Sequence, residues 1–185
     1  MQPYLGLPMR MYTRKDVVNW LNDWRFVMTH FIVAHTHIHA AGADVRVRER
    51  IKTQTQNNLR HTMNRVTREL VGNNICKRHP HTLAPAIVAT IEGNKESVLE
   101  SKTVHINMLI GNLPRDKRDT IKLYDAFRYN WHLMCGQRDD VWIEQFDLSK
   151  HLNFYITKED LKPGHLSDCP LYESMRLPST PLYVD

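Results

Sequence analysis

Residues 84–111 read APAIVATIEGNKESVLESKTVHINMLIG, and the rest of the chain is best organised outward from them. Two apolar runs, 84–93 and 102–111, flank the polar stretch NKESVLES, and each ends in glycine. Such runs are predicted to be neighbouring antiparallel strands joined by a turn. Alternate residues of a strand share a face, so His105 and Asn107 point the same way. Pairing of the two runs then sets the Glu92 carboxylate on the strand beside His105.

Upstream, Asp44 to Val71 carries Leu59, Met63, Val66 and Leu70 at helical spacing, and Gly72 supplies a stop. A long helix with a basic outer face is predicted, begun by Arg46, Arg48, Arg50 and Lys52. Before it, RFVMTHFIVAHTHIHA (25–40) is β-branched and aromatic and reads as the first strand. Earlier still, Val17, Trp20, Leu21 and Trp24 fall on one face of a short amphipathic helix. Downstream, Asp119 is a candidate cap for a second long helix in which Ile121, Tyr124, Phe127 (or Arg128) and Trp131 recur. DDVWIEQFD is a further strand. KHLNFYITKEDL reads as a helix with Tyr155 and Lys158 on one face. The end of the chain, from residue 162 to 185, holds four of the nine prolines and reads as an irregular tail.

The chain has 185 residues, which suits one domain with a core at about residues 25–160. Twenty-five Lys and Arg against 20 Asp and Glu give a formal charge of +5, a balance that favours a polyanionic partner. The three cysteines, Cys76, Cys135 and Cys169, form no C-x-x-C pair. They suggest neither a disulfide framework nor a thiolate zinc site, and a reducing compartment fits best. With no run of 18 apolar residues and no secretory pattern at the start, the expectation is a soluble intracellular protein.

In order, then, come a hydrophobic strand, a helix, a strand with Glu92, a strand with VHIN, a helix, a strand, and Tyr155-Ile-Thr-Lys158. This series resembles the HUH endonucleases, and within them the single-tyrosine initiators of rolling-circle replication (Rep) of small DNA viruses, phages and plasmids. The resemblance spans roughly residues 25 to 160. It implies an α/β (α+β) domain built on an antiparallel sheet of about five strands flanked by helices, in the ferredoxin-like or RNA-recognition manner. It further implies a divalent-metal site of Glu92, His105 and Asn107, with Tyr155 as nucleophile and Lys158 binding the phosphate. Asn107 departs from the family's usual second histidine. An amide oxygen suits Mg2+ or Mn2+ and argues against zinc.

The function implied is nicking and joining of single-stranded or hairpin origin DNA through a 5′-phosphotyrosine link. Partners would be that DNA and a host replication machinery with a separate helicase, since the chain has no Walker A pattern. The setting would be the cytoplasm of a bacterial or archaeal host, or the nucleus of a eukaryotic one. A transposase or relaxase would use the same chemistry, and a noncatalytic nucleic-acid-binding module would share the fold without it. The literal H-x-H motif, His37-Ile38-His39, lacks a preceding carboxylate strand. His35, His37 and His39 are therefore read as polar positions ending the first strand. Trp131 and Trp142 are read as core residues, and Glu144 and Asp147 as surface acids.

Overall fold

On the strand 103–111, Val104, Ile106, Met108 and Ile110 alternate with His105, Asn107 and Leu109, and this alternation divides the molecule into two faces. The computed structural model describes Asn22 and residues 25–40, 43–73, 85–93, 103–136 and 140–147. Among these, a 3-10 turn at Arg25–Val27 leads into β1 (Met28–His39), followed by α1 (Val45–Val71), β2 (Ala86–Glu92) and β3 (Thr103–Gly111). A 3-10 turn at Arg115–Lys117, α2 (Thr120–Cys135) and β4 (Val141–Gln145) complete the order. The strands form one sheet in the order β2-β3-β1-β4, with every neighbouring pair antiparallel. Four strands stand among the described residues, where about five are expected.

The helices start and stop where the sequence signals them. An Asp44 carboxylate oxygen accepts the Val47 N–H at 2.8 Å, and the Gly72 N–H donates to the Arg68 carbonyl at the other end of α1. An Asp119 oxygen accepts from the Ile121 and Lys122 N–H groups, and Gly136 closes α2 in the left-handed region. Leu59, Met63, Val66 and Leu70 are all buried, as their spacing requires. In α2 the buried stripe is Leu123, Ala126, Phe127, Asn130 and Trp131, whereas Ile121 is 72% exposed. The expected stripe is therefore rotated. At 100° per residue Ile121 lies far around the helix from Phe127, and Leu123 and Ala126 fill the side that faces the sheet.

The apolar core lies between these helices and one face of the sheet. Ile32 and Ala34 of β1, Ile87, Ala89 and Ile91 of β2, and Val104, Ile106, Met108 and Ile110 of β3 meet Leu59, Met63, Val66, Leu123, Phe127 and Trp131. Each buried large apolar side chain contributes about 1.5–3 kcal/mol, so this face carries much of the stability. Trp131 also donates its indole N–H to the His35 carbonyl at 2.8 Å, tying α2 to the far end of β1. Gly111 permits a close crossing. A Cβ there would stand 2.1 Å from the Val27 carbonyl oxygen.

Candidate metal and nucleic-acid site

On the opposite face of the sheet, polar side chains stand among buried apolar ones, Phe31, Val88 and Leu109. Strand register places Glu92 directly opposite His105, and Thr90 directly opposite Asn107. On the other side of β3, β1 sets His35 opposite His105 and Val33 opposite Asn107. Residues directly opposite on antiparallel strands share a face. Glu92, His105 and His35 thus form one cross-strand row, and Thr90, Asn107 and Val33 the next.

Within the first row, Glu92 Oε2 lies 3.3 Å from His105 Nε2, and both residues are buried. His105 Nδ1 lies 3.2 Å from the Thr103 carbonyl oxygen. A carbonyl only accepts, so Nδ1 carries the proton, and in the neutral ring the Nε2 lone pair is turned toward the carboxylate. Two arrangements satisfy a lone pair facing a carboxylate: a second proton on the ring, or a cation between them. An imidazole that anchors one nitrogen on a backbone carbonyl and offers the other is the usual geometry of a metal-binding histidine.

His35 supports this arrangement. Its ring stacks on that of His105, with centroids 4.7 Å apart and planes 23° from parallel. Its Nδ1 is 3.1 Å from the Thr103 hydroxyl, so Thr103 holds both rings, one by its side chain and one by its carbonyl. Gly93, directly after Glu92, has φ +94, and a Cβ there would stand 2.6 Å from that same Thr103 carbonyl.

In the second row, Asn107 is completely buried, and neither its Oδ1 nor its Nδ2 has a hydrogen-bond partner. The hydroxyl of Thr90, opposite it, is likewise buried and unpartnered. Leaving such groups unsatisfied costs about 1–3 kcal/mol each, which makes this pair a conspicuous exception to the rule that buried polar groups are bonded. No group of three or more His, Cys, Asp or Glu side chains among the described residues converges on a metal-sized space. Among the described residues, a third ligand beside Glu92 and His105 would be an amide or hydroxyl, and Asn107 offers one on the same face. The donor set fits a hard divalent cation.

His37 and His39 lie elsewhere. The register breaks between His35 and His39, and both His37 and His39 are exposed. His37 Nε2 sits 3.1 Å from the Gly136 carbonyl at the end of α2. Tyr155 and Lys158 lie outside the described residues, as do Val17, Trp20, Leu21 and Trp24 of the expected first helix and the tail from 162 to 185. Of the basic cluster that opens α1, Arg46 and Arg50 are exposed, while Arg48 is buried and donates from Nε to the Ala43 carbonyl.

The tryptophans divide. Trp131 is fully buried, as expected, but Trp142 on the edge strand β4 is 50% exposed and is not a core residue. The period of a five-residue strand does not distinguish its two faces when both carry apolar residues. Glu144 is half-buried on the same face as Trp142, opposite Phe31. Among the described residues no helix is long and apolar enough to cross a membrane. No family model, no curated protein and no solved structure matches the chain.

Proposed function

We propose that the protein is a metal-dependent endonuclease and strand transferase acting on single-stranded DNA, of the HUH single-tyrosine kind, that nicks and rejoins a replication origin. The observation that carries the reading is the placement, in neighbouring rows on one face of β2 and β3, of the Glu92 carboxylate beside the carbonyl-anchored His105 imidazole and of the buried, unpartnered Asn107 amide. The β-α-β-β-α-β order with sheet order β2-β3-β1-β4 supports it, because this is the split βαβ arrangement that the resemblance implies.

Glu92, His105 and Asn107 would hold Mg2+ or Mn2+, which supplies Lewis-acid polarisation of the scissile phosphate and stabilises charge on the departing 3′ oxygen. The protein's own groups do the rest. The Tyr155 oxygen attacks phosphorus and forms the new P–O bond while the P–O3′ bond breaks, and the 3′ oxygen leaves with a proton as a free hydroxyl. Lys158, one turn from Tyr155 on the expected helix, balances the negative charge developing on the phosphate oxygens. One phosphodiester is exchanged for another, so the reverse reaction joins strands without a nucleotide cofactor. Stacking by His35 and the Thr103 carbonyl keep the His105 ring oriented throughout.

The test is incubation with labelled single-stranded DNA and Mn2+ or Mg2+, followed by a denaturing gel. A protein–DNA adduct that disappears with Tyr155→Phe, and with chelator, is expected. An adduct that persists in Tyr155→Phe would remove Tyr155 from its role. DNA binding without any adduct would favour the noncatalytic module of the same fold.

A further inference from the structure

The two edges of the sheet differ. No residue of β2 is more than 6% exposed, whereas β4, at the other edge, carries a half-exposed Trp142 and an exposed Gln145. Among the described residues β4 pairs with β1 alone, in unbroken register from Val141 to Gln145. The His35 N–H donates to the Asp140 carbonyl and the Phe146 N–H to the Thr29 carbonyl, so the even-numbered residues of this segment turn their backbone groups toward β1. The N–H and C=O groups of Val141, Ile143 and Gln145 therefore point outward from the sheet, where they form a template for another strand. Folds ordinarily blunt such an edge with lysine, proline or a bulge. Residues 140–147, DVWIEQFD, contain neither lysine nor proline, and their register with β1 has no bulge.

The side chains of this edge sort by the same parity. Val141 and Ile143 face the apolar core, while Trp142, in the row of Val33 and Asn107, stands with Glu144 on the other face, and Asp140 precedes them in phase. The indole is fixed edge to face by Phe31, with centroids 6.0 Å apart and planes at 81°. Asp140, Glu144 and Asp147 are the charged residues of the segment, so this edge is acidic in a chain whose net charge is +5. We infer that β4 is a docking edge for an extended basic segment of a partner protein, which adds to the sheet as a further antiparallel strand with arginine or lysine at every second position. Charge complementarity selects that occupant. Its basic side chains lie over the Trp142 ring and beside Asp140 and Glu144, and its intervening apolar residues continue the layer of Val141 and Ile143. A second copy would set the same acids against one another, and a nucleic acid would set phosphates against them. The inference does not depend on the metal site.

The experiment measures, by fluorescence anisotropy on the full chain, binding of a labelled, end-capped eight-residue peptide of alternating arginine and valine. An antiparallel strand whose arginines share the face of Trp142 turns its valine N–H groups toward β4. Methylating the valine nitrogens should therefore weaken binding by at least about 10-fold, whereas methylating the arginine nitrogens, which leaves the charge unchanged, should alter it by less than about 3-fold. Glutamate in place of arginine should abolish binding. In the protein, Ile143→Pro removes an outward N–H while sparing the bonds to β1, and should weaken binding by at least about 10-fold. Trp142→Ala and Glu144→Gln should each weaken it by about 5-fold. Equal effects of the two methylations would reduce the contact to charge attraction and overturn the inference, as would failure of the peptide to bind. Self-association of the free chain that is seen by sedimentation and lost in Ile143→Pro would overturn it in favour of a second copy, and binding of single-stranded DNA that is lost in Ile143→Pro would overturn it in favour of a nucleic acid.

Discussion

Two histidine triplets, His37-Ile38-His39 and His105-Ile106-Asn107, look alike on paper and differ in nearly every physical respect. In both, the central isoleucine packs toward the helices. Around His105 the sheet is three strands deep, so one ring meets a carboxylate on one side and a stacked imidazole on the other. Around His37 the register is broken, and the ring leans on a helix-terminal carbonyl at the exposed end of β1. Under the proposed reading, coordinating power comes from neighbours and burial, and the better-spelled motif would be the poorer ligand set.

The sharpest way to break this comparison is to remove each set in turn. Glu92→Ala or His105→Ala should reduce Mn2+ affinity by at least about 100-fold, with loss of the adduct, while circular dichroism stays native-like. The double variant His37→Ala/His39→Ala should leave calorimetric Mn2+ binding within about 2-fold of wild type. Equal losses from both would place the cation at the end of β1.

Next in size is Gly93→Ala. A side chain at φ +94 is strained, and the added Cβ would press on the Thr103 carbonyl that anchors His105. The expected cost is more than about 1 kcal/mol by urea unfolding, accompanied by weaker Mn2+ binding. Gly72 is a control for backbone strain alone, since it also has positive φ but a Cβ there would meet nothing within 4 Å. If Gly72→Ala weakened Mn2+ binding as much as Gly93→Ala, the role given to the Thr103 carbonyl would fall.

Much of this contrast was legible in the chain. The Glu92 and His105 runs are joined by a short polar segment, and local pairing of this kind brings a carboxylate and an imidazole together without knowledge of the rest. Asp44, Gly72 and Asp119 announce the helix ends through side-chain and backbone chemistry that acts within a single turn. The placement of β1 between β3 and β4 is different, for it joins segments far apart in sequence and no local pattern encodes it. His35 against His105, and Trp142 in the row of Asn107, follow from that placement and so stayed hidden. Their only sequence signal was parity, since His35 shares the phase of Phe31 and Val33.

Asn107→Leu separates function from stability at the site itself. Leucine has a similar volume and removes two unpartnered buried polar atoms, so the variant should be more stable by about 1 kcal/mol, raising the melting temperature by about 2–4 °C. Mn2+ affinity should fall at the same time, a trade expected where a polar group is kept for binding at the expense of stability. A loss of stability in Asn107→Leu would mean that the amide is satisfied within the fold, and it would no longer be a candidate ligand.

The smallest effect defines what a purely structural histidine looks like on the same strand. His30 of β1 is buried, with Nδ1 2.9 Å from the Thr29 hydroxyl and Nε2 3.1 Å from the Thr120 hydroxyl at the start of α2. Burial holds its pKa below the ordinary 6.5, with the nearby Arg118 charge adding to the effect and a backbone hydrogen bond at Arg118 and the Asp119 charge opposing it. The folded state therefore disfavours the imidazolium, and between 6.5 and the lower folded value the unfolded chain binds more protons. This contribution to stability is complete above pH 6.5 and is lost as pH falls toward and through the folded pKa. With 11 histidines in the chain, the wild-type profile alone does not isolate it. Subtracting the profile of His30→Gln does: urea midpoints compared at about pH 7.5 and about pH 5 should fall less for the variant than for wild type. An identical fall in both would show that His30 titrates no differently in the folded protein than in the unfolded chain, and that its two hydroxyl partners accommodate the charged ring.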